Sequence, residues 1–225
     1  MLHVGTPGDY RPYAYRTADG GFAGAEIDLV RAFAAGQGLR VAIEATSWKT
    51  MQEDFIQGRF DMVIGGVSVT PERARDGDFS IALAEDGKRP LTRCADQDRY
   101  ATIAAIDRPG VRVVTNPGGT NESFARLHFH AASLAVAPDN ASVPAWLAAG
   151  REDVFVTDGA EVDVLVKRFA GTLCAASVAQ PFTHLTKAWW LPQDAAFKQA
   201  VDAFLTRAKA DGSWQAALDR AAAAP

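Results

Sequence analysis

Long apolar runs and basic runs are both missing from this sequence of 225 residues. No apolar stretch reaches the roughly 18 residues of a membrane-spanning helix, so we expect no stable membrane insertion. The 23 lysines and arginines are outnumbered by 27 acidic residues, and no basic run is interleaved with aromatic residues. Both observations argue against nucleic acid as a partner.

Cysteine and metal-binding patterns are scarce too. The four histidines have no metal-ligand spacing, and the two cysteines, Cys94 and Cys174, lie 80 residues apart and fit no metal motif. We therefore expect no metal. The cysteines could be two buried free thiols or a single disulfide, and a disulfide would imply an oxidising compartment.

What the sequence does contain is an ordinary globular composition, with 48% hydrophobic and 22% charged residues. Short apolar runs alternate with helical patterns. For example, "AGAEIDLVRAFAAGQG" predicts a helix with one apolar face, formed by Ile27, Val30, Phe33 and Ala34. This rhythm starts at the first residues and restarts at "GVRVVTNPGG", and it is typical of mainly parallel sheets flanked by helices.

Two α/β units followed by a helical C-terminus predict a two-lobed α/β fold in which the chain crosses between the lobes twice. We expect lobe 1 to comprise residues 1–90 and 187–225, and lobe 2 to comprise residues 91–186. A ligand cleft between the lobes is the default site for such a fold.

Two motifs that follow predicted strands are suited to anionic ligands. In "SVTPERAR", Thr70 is a good helix N-cap, and Arg73 follows in the first helical turn with a planar fork that fits a carboxylate. In "TNPGGTNE", Thr120 can cap a helix whose N–H groups form an anion site. Either motif could equally be purely structural, with a solvated arginine or a common glycine turn.

Three further segments carry candidate site residues. Lys88 lies at the first crossing, where it could be solvated or could be a second cation for an anionic ligand. Trp48 and one tyrosine of "GDYRPYAY" could form a wall for a six-membered ring or belong to the core. In "VFVTDGAEVD" a strand end is followed by Asp158, Glu161 and Asp163, a place where α/β proteins put site residues.

Several of these motifs occur together in a known order. The stretches "GAEIDL", "GRFDMVIGGVSVTPER" and "GSWQAALD" resemble the bacterial periplasmic solute-binding proteins of amino-acid uptake, whose fold is the type II periplasmic-binding-protein fold. An enzymatic branch of that fold, the periplasmic cyclohexadienyl dehydratases, is similar at "GDYRPYAY", "DGKRPLTRCAD", "NPGGTNE" and "TDGAE". This resemblance spans nearly the whole chain.

The resemblance implies an activity and roles for matching residues. The branch converts prephenate to phenylpyruvate and arogenate to phenylalanine, without a cofactor. Glu161 matches the catalytic general acid. The matching or adjacent candidates for substrate binding are Arg73, Lys88, Asn116, Trp48, Thr120, Ser68, Asp9, Tyr10 and Asp158. In the binding relatives, Arg73 would grip an α-carboxylate and Asp158 would receive an α-amino group.

An alternative reading is a non-catalytic amino-acid-binding protein that delivers its ligand to an ABC transporter. A pure binder needs only Arg73 and Asp158, whereas the enzyme also needs Glu161, Lys88 and the "NPGGTNE" turn. Under either reading we expect a periplasmic location, with the signal peptide absent from this sequence.

Overall fold

The structure is a computed structural model that describes residues 1–224. The strands in this part of the chain are β1 (Leu2–Thr6), β2 (Asp9–Tyr10), β3 (Ala14–Arg16), β4 (Phe22–Ala23), β5 (Val41–Ala45), β6 (Met62–Val63), β7 (Asp78–Phe79), β8 (Ala84–Asp86), β9 (Lys88–Arg93), β10 (Arg112–Thr115), β11 (Ser133–Val136), β12 (Val154–Asp158), β13 (Leu173–Ala175), β14 (Leu185–Lys187) and β15 (Trp190–Leu191). The α-helices are α1 (Ala25–Gly36), α2 (Met51–Ile56), α3 (Arg73–Asp76), α4 (Ile103–Ile106), α5 (Gly119–His128), α6 (Val143–Ala148), α7 (Gly159–Arg168), α8 (Ala195–Ala210) and α9 (Ser213–Ala223).

The chain divides into two compact units, so the fold is mixed α/β with two sheet-containing lobes. Unit 1 comprises Met1–Glu85 and Thr186–Pro225, and unit 2 comprises Asp86–Leu185. From the sequence we predicted that the first segment of lobe 1 ends at residue 90. The structure places it earlier because β9, which begins at Lys88, pairs with β12 and β13 of unit 2.

Unit 1 is built on a five-stranded sheet with the order β5-β1-β6-β15-β7. Strand β1 is parallel to both β5 and β6, and β15 adds antiparallel pairs with β6 and β7. The predicted apolar face of α1 is confirmed, since all four of its residues, Ile27, Val30, Phe33 and Ala34, are buried. These four side chains are core residues of unit 1, and so are the fully buried Trp189 and Trp190.

Unit 2 is built on a second five-stranded sheet with the order β11-β10-β12-β9-β13. Here β10 is parallel to β11 and β12, while β9 runs antiparallel to β12 and β13. Along β12 the side chains alternate between two apolar clusters: Val154 and Val156 belong to one, and Phe155 to the other. Both faces of the sheet are therefore buried, as expected for parallel strands flanked by helices.

Cys94 and Cys174 are joined in a disulfide within unit 2, with a Cα–Cα distance of 4.7 Å. Cys94 follows the end of β9 and Cys174 lies in the adjacent strand β13, so strand pairing brings them together. The sequence left open whether they were bonded, because 80 residues separate them and nothing local shows that the two segments are neighbours.

No helix in the described part of the chain is both long enough and apolar enough to cross a bilayer.

Candidate functional site

The end of β12 and the first turn of α7 carry the acids that the sequence singled out. Asp158 is the last residue of β12, and Glu161 is the third residue of α7. The N–H groups of Gly159 and Ala160 are bound by the carboxylate of Asp86, at 2.8 and 3.2 Å. Asp158 occupies the N-cap position of α7, but its side chain makes no capping hydrogen bond, because Asp86 binds these N–H groups.

Glu161 is buried, with 8% of its surface exposed. Its Oε1 accepts a hydrogen bond from Asn140 Nδ2 at 2.6 Å, and its Oε2 accepts one from the hydroxyl of Thr157. The carboxyl group is thus held from both sides by neutral donors. By contrast, the side chain of Asp163 is 61% exposed and pairs with Arg89, so this acid lies at the surface.

Lys88 lies opposite Asp158 in the antiparallel register of β9 and β12. Its ammonium donates to Asp158 Oδ1 at 2.7 Å, to Thr120 Oγ1 at 2.9 Å and to Asn121 Oδ1. Only 1% of the residue is exposed. The structure therefore rules out a solvated surface lysine and makes Lys88 the central cation of a buried polar cluster in unit 2.

Asn116 and the glycine turn complete this cluster. Gly118 and Gly119 have φ values of 74° and 69°, a conformation that glycine adopts without strain. The buried Asn116 accepts a hydrogen bond from Asn121 Nδ2 at 2.9 Å. The expectation that Thr120 caps this helix is wrong: α5 already begins at Gly119, so Thr120 lies inside its first turn.

The sequence also predicted an anion site at the start of α5, but the chain itself already binds one N–H group there. The carboxylate of Glu122 accepts a hydrogen bond from the N–H of Gly118 at 2.6 Å. The carboxylate of Glu122 therefore lies at the start of this helix, where the sequence predicted that the N–H groups would bind an anionic ligand.

Unit 1 holds the remaining candidates, beginning with Arg73. This residue is buried, its Nη1 donates to the carbonyl of Ser68 at 2.8 Å, and its N–H is bound by the hydroxyl of Thr70 at 3.3 Å. Helix α3 begins at Arg73 itself, so Glu72 and not the expected Thr70 occupies its N-cap position. The Ser68 hydroxyl accepts a hydrogen bond from Lys187 Nζ at 2.8 Å.

Tyr10 and Trp48, which the sequence offered as a ring wall or as core residues, are in contact in unit 1, and Tyr10 is buried. The rings of Tyr10 and Trp48 meet edge-to-face with centroids 6.2 Å apart, and Tyr13 packs edge-on against Tyr10 at 5.1 Å. Trp48 Nε1 donates to Asp9 Oδ1 at 2.8 Å, which fixes the indole. Lys187 Nζ lies 5.2 Å from the centre of the Tyr10 ring.

Glu26 is a buried acid that the sequence analysis passed over. Its two carboxylate oxygens accept from the N–H groups of Gly65 and Gly66, at 2.7 and 3.0 Å. Burial raises the pKa of Glu26 to about 7, and the two N–H groups and Lys187 oppose that shift. The glycines belong to the "GGVS" turn that leads to Ser68, so Glu26 organises this loop from below.

Three residues of unit 2 that contact site candidates were not predicted from the sequence: Asn121, Thr157 and Asn140. The available signals were weak. Asn121 is adjacent to Thr120, and Thr157 directly precedes Asp158, but Asn140 lies in the segment before α6, 21 residues from the acid it contacts. Within residues 1–224, no group of His, Cys, Asp and Glu side chains is arranged to hold a metal ion.

One known protein family matches nearly the whole chain. Residues 2–222 match the family of bacterial extracellular solute-binding proteins, family 3. The chain belongs to this family. Its fold is therefore that of the extracellular solute-binding proteins of this family, which include amino-acid-binding proteins.

Individual relatives narrow the comparison. The chain is 41% identical over 212 residues to the cyclohexadienyl dehydratase of Pseudomonas aeruginosa, an alignment that covers 94% of this chain and 79% of that protein. An ancestral cyclohexadienyl dehydratase of known structure is 38% identical, with 98% and 92% of the two chains covered and a TM-score of 0.58. An ancestral amino-acid-binding protein, described as a precursor of cyclohexadienyl dehydratase, is 26% identical, with 97% and 94% covered and a TM-score of 0.86.

Proposed function

We propose that this protein is a cyclohexadienyl dehydratase that converts prephenate to phenylpyruvate and arogenate to phenylalanine. The observation that carries the proposal is the buried carboxyl of Glu161, held by Asn140 and Thr157 in a relative of a known dehydratase. A buried acid fixed in this way is suited to proton transfer, whereas a pure binding protein needs only Arg73 and Asp158.

The reaction needs an acid because hydroxide is a poor leaving group. In our proposal Glu161 delivers its proton to the oxygen of the ring hydroxyl as the carbon–oxygen bond breaks, and water leaves. The electrons of the bond between the ring and its carboxylate move into the ring, which becomes aromatic, and carbon dioxide departs. Glu161 is left as a carboxylate and regains its proton from solvent. General acid catalysis of this kind contributes roughly 10²–10⁴-fold.

No electron-accepting cofactor is needed, because the electrons released with carbon dioxide end in the aromatic ring. The enzyme would therefore be a carbon–oxygen lyase that acts through its own side chains. The buried position of Glu161 shields a proton donor from solvent, which supports its role as the acid.

The substrate of this reaction is a small dianion, which requires cationic and apolar partners. We propose that Arg73 binds a substrate carboxylate, with help from the polar side chains of Ser68, Asn116 and Thr120. Lys88, whose three ammonium hydrogens already have partners in the protein, would act on the anionic substrate through its positive charge. We assign Trp48 and Tyr10 to the six-membered ring, with Asp9 holding the indole of Trp48. These assignments rest on chemistry and on the motifs that the residues share with the dehydratase branch.

A transport receptor for amino acids is the competing function, and Asp158 bears on it. A receptor would present this carboxylate to the α-ammonium group of its ligand. In this chain Asp158 already binds the ammonium of Lys88 at 2.7 Å, which favours the dehydratase. We further propose that the protein works in the periplasm, in keeping with the extracellular location of its family.

Incubation with prephenate tests the proposal directly. Phenylpyruvate absorbs strongly in alkali, so its formation above the spontaneous rate of prephenate breakdown can be followed by quenching samples at intervals. We expect rapid formation. Product at only the spontaneous rate, together with tight binding of an amino acid in calorimetry, would instead establish the transport receptor.

A further inference from the structure

A continuous chain of hydrogen bonds joins Lys88 to Glu161 inside unit 2. The ammonium of Lys88 donates to Asn121 Oδ1, and Asn121 Nδ2 donates to Thr157 Oγ1 at 2.9 Å. The hydroxyl of Thr157 then donates to Glu161 Oε2. Asn121 and Thr157 are 9% and 0% exposed, so the protein rather than solvent supplies these bonds.

The direction of every bond in this chain is fixed by the first one. An ammonium group can only donate, so it must face the oxygen of the Asn121 amide. The amide nitrogen then points away, and its two hydrogens go to Asn116 Oδ1 and Thr157 Oγ1, both at 2.9 Å. Because Thr157 receives one of those hydrogens, its own single hydrogen is left for Glu161.

This order of donors matters for an acid. A hydroxyl can rotate and become an acceptor, which would stabilise a protonated Glu161 and weaken it as an acid. With Asn121 fixed, Thr157 already uses one lone pair of its hydroxyl to accept from Asn121 and points its hydrogen at Glu161. It therefore stabilises the carboxylate that forms as the proton leaves. Asn140 does the same at the other oxygen, at 2.6 Å.

We propose that Asn121 and Thr157 are positioning residues, through which Lys88 fixes the hydrogen bond donated to Glu161 and thereby sets its orientation and acid strength. The proposal rests on the dehydratase function for its catalytic consequence. It does not rest on that function for the hydrogen bonding itself, which is a property of the folded protein.

Several charged groups lie on the elements next to Glu161, and each has partners of its own. Lys88 on β9 and Asp158 at the end of β12 pair with each other. Asp86 on β8 binds the first N–H groups of α7, and Glu122 on α5 pairs with Arg126. These charges are the same in wild type, Thr157→Val and Thr157→Ser, so comparison of the three proteins isolates the Thr157 bond.

Thr157→Val tests the proposal, since valine has the shape of threonine but no hydroxyl. We expect kcat for prephenate to fall about 10- to 100-fold with KM within about 3-fold, which is the effect of losing one hydrogen bond to a charged group. The high-pH limb of the kcat profile should move to higher pH, because the carboxylate has lost a donor. Thr157→Ser, which keeps the hydroxyl, should restore both kcat and the profile.

A second measurement does not depend on turnover. In protein labelled with ¹³C at the glutamate carboxyl carbons, Glu161→Gln identifies the Glu161 signal, whose pKa is then followed by NMR. We expect Thr157→Val to raise that pKa and Thr157→Ser to leave it near the wild-type value. If Thr157→Val does not fold, Thr157→Ala serves in its place.

The two readouts separate the two proposals. A wild-type protein without turnover, in which Thr157→Val still raises the pKa of Glu161, would contradict the dehydratase and support the positioning role. A pKa and a pH profile that are the same in wild type and Thr157→Val would overturn the positioning role.

Discussion

Lys88 and Asp158 form an ion pair in the interior of unit 2, with 2.7 Å between Nζ and Oδ1 and side chains that are 2% and 6% exposed. The pairing follows from the register of β9 and β12, which sets the two residues side by side. Asn121 and Thr120 occupy the other two hydrogens of the ammonium. The ammonium is therefore part of the fold, and we expect it to act on a substrate through its positive charge.

This pair predicts a large loss of stability when one charge is removed. Lys88→Met would leave Asp158 as a buried carboxylate without its ammonium, which costs about 3–5 kcal/mol in comparable pairs. The neighbouring pair Arg89–Asp163 is more exposed, so Arg89→Met should cost about 1 kcal/mol or less. Denaturant unfolding of the two variants checks the contrast, and equal losses would contradict it.

The buried carboxyl of Glu26 predicts how stability depends on pH. Its pKa is about 7 in the folded protein against an ordinary value of 4.5, so the folded state binds the proton more tightly than the unfolded state. Stability from this group is thus fully present below about pH 4.5 and is lost as pH rises through about 7. The shift corresponds to roughly 3 kcal/mol.

Urea unfolding at pH 5, 6, 7 and 8 measures this effect. We expect the free energy of unfolding of the wild type to fall across this range, and the fall to be largely absent in Glu26→Gln. Glu53→Gln, at an exposed position on α2, is the matched control and should keep the wild-type slope. A wild-type slope in Glu26→Gln would show that other groups cause the fall.

The disulfide between Cys94 and Cys174 predicts sensitivity to reductant. Closing a loop of this length restricts the unfolded chain, which is worth roughly 4 kcal/mol in the entropy model. We expect reduction to add two protons to the mass and to lower the unfolding free energy toward that of the Cys94→Ser/Cys174→Ser variant. The stability of that double variant should not respond to reductant. An unchanged mass would mean that no bond was present.

Elements with strong local signals could be predicted from the sequence. The apolar face of α1 and the buried strand before Asp158 were readable because helix and strand periodicity depend on near neighbours. The positions of Glu161 and Asp158 on the first turn of α7 and at the end of β12 followed from the same pattern.

The partners of those residues could not be predicted. Glu161 depends on Asn140, 21 residues away, and Lys88 depends on Asp158, 70 residues away. Such contacts arise from sheet register and helix packing, which no short sequence window contains. For the same reason Lys88 could be located only at a crossing between the lobes, and Asn121 and Thr157 were not predicted as site residues.

Glu161→Gln is the most direct test of the proposed function. Glutamine keeps the size of the side chain but cannot donate a proton to the leaving hydroxyl, so kcat for prephenate should fall by about 10²–10⁴-fold. Binding of prephenate, measured by calorimetry or by protection against unfolding, should persist. The control is Asp163→Asn, which removes an exposed acid from the same helix and should leave turnover unchanged. Near-normal turnover by Glu161→Gln would contradict the account and place the acid elsewhere.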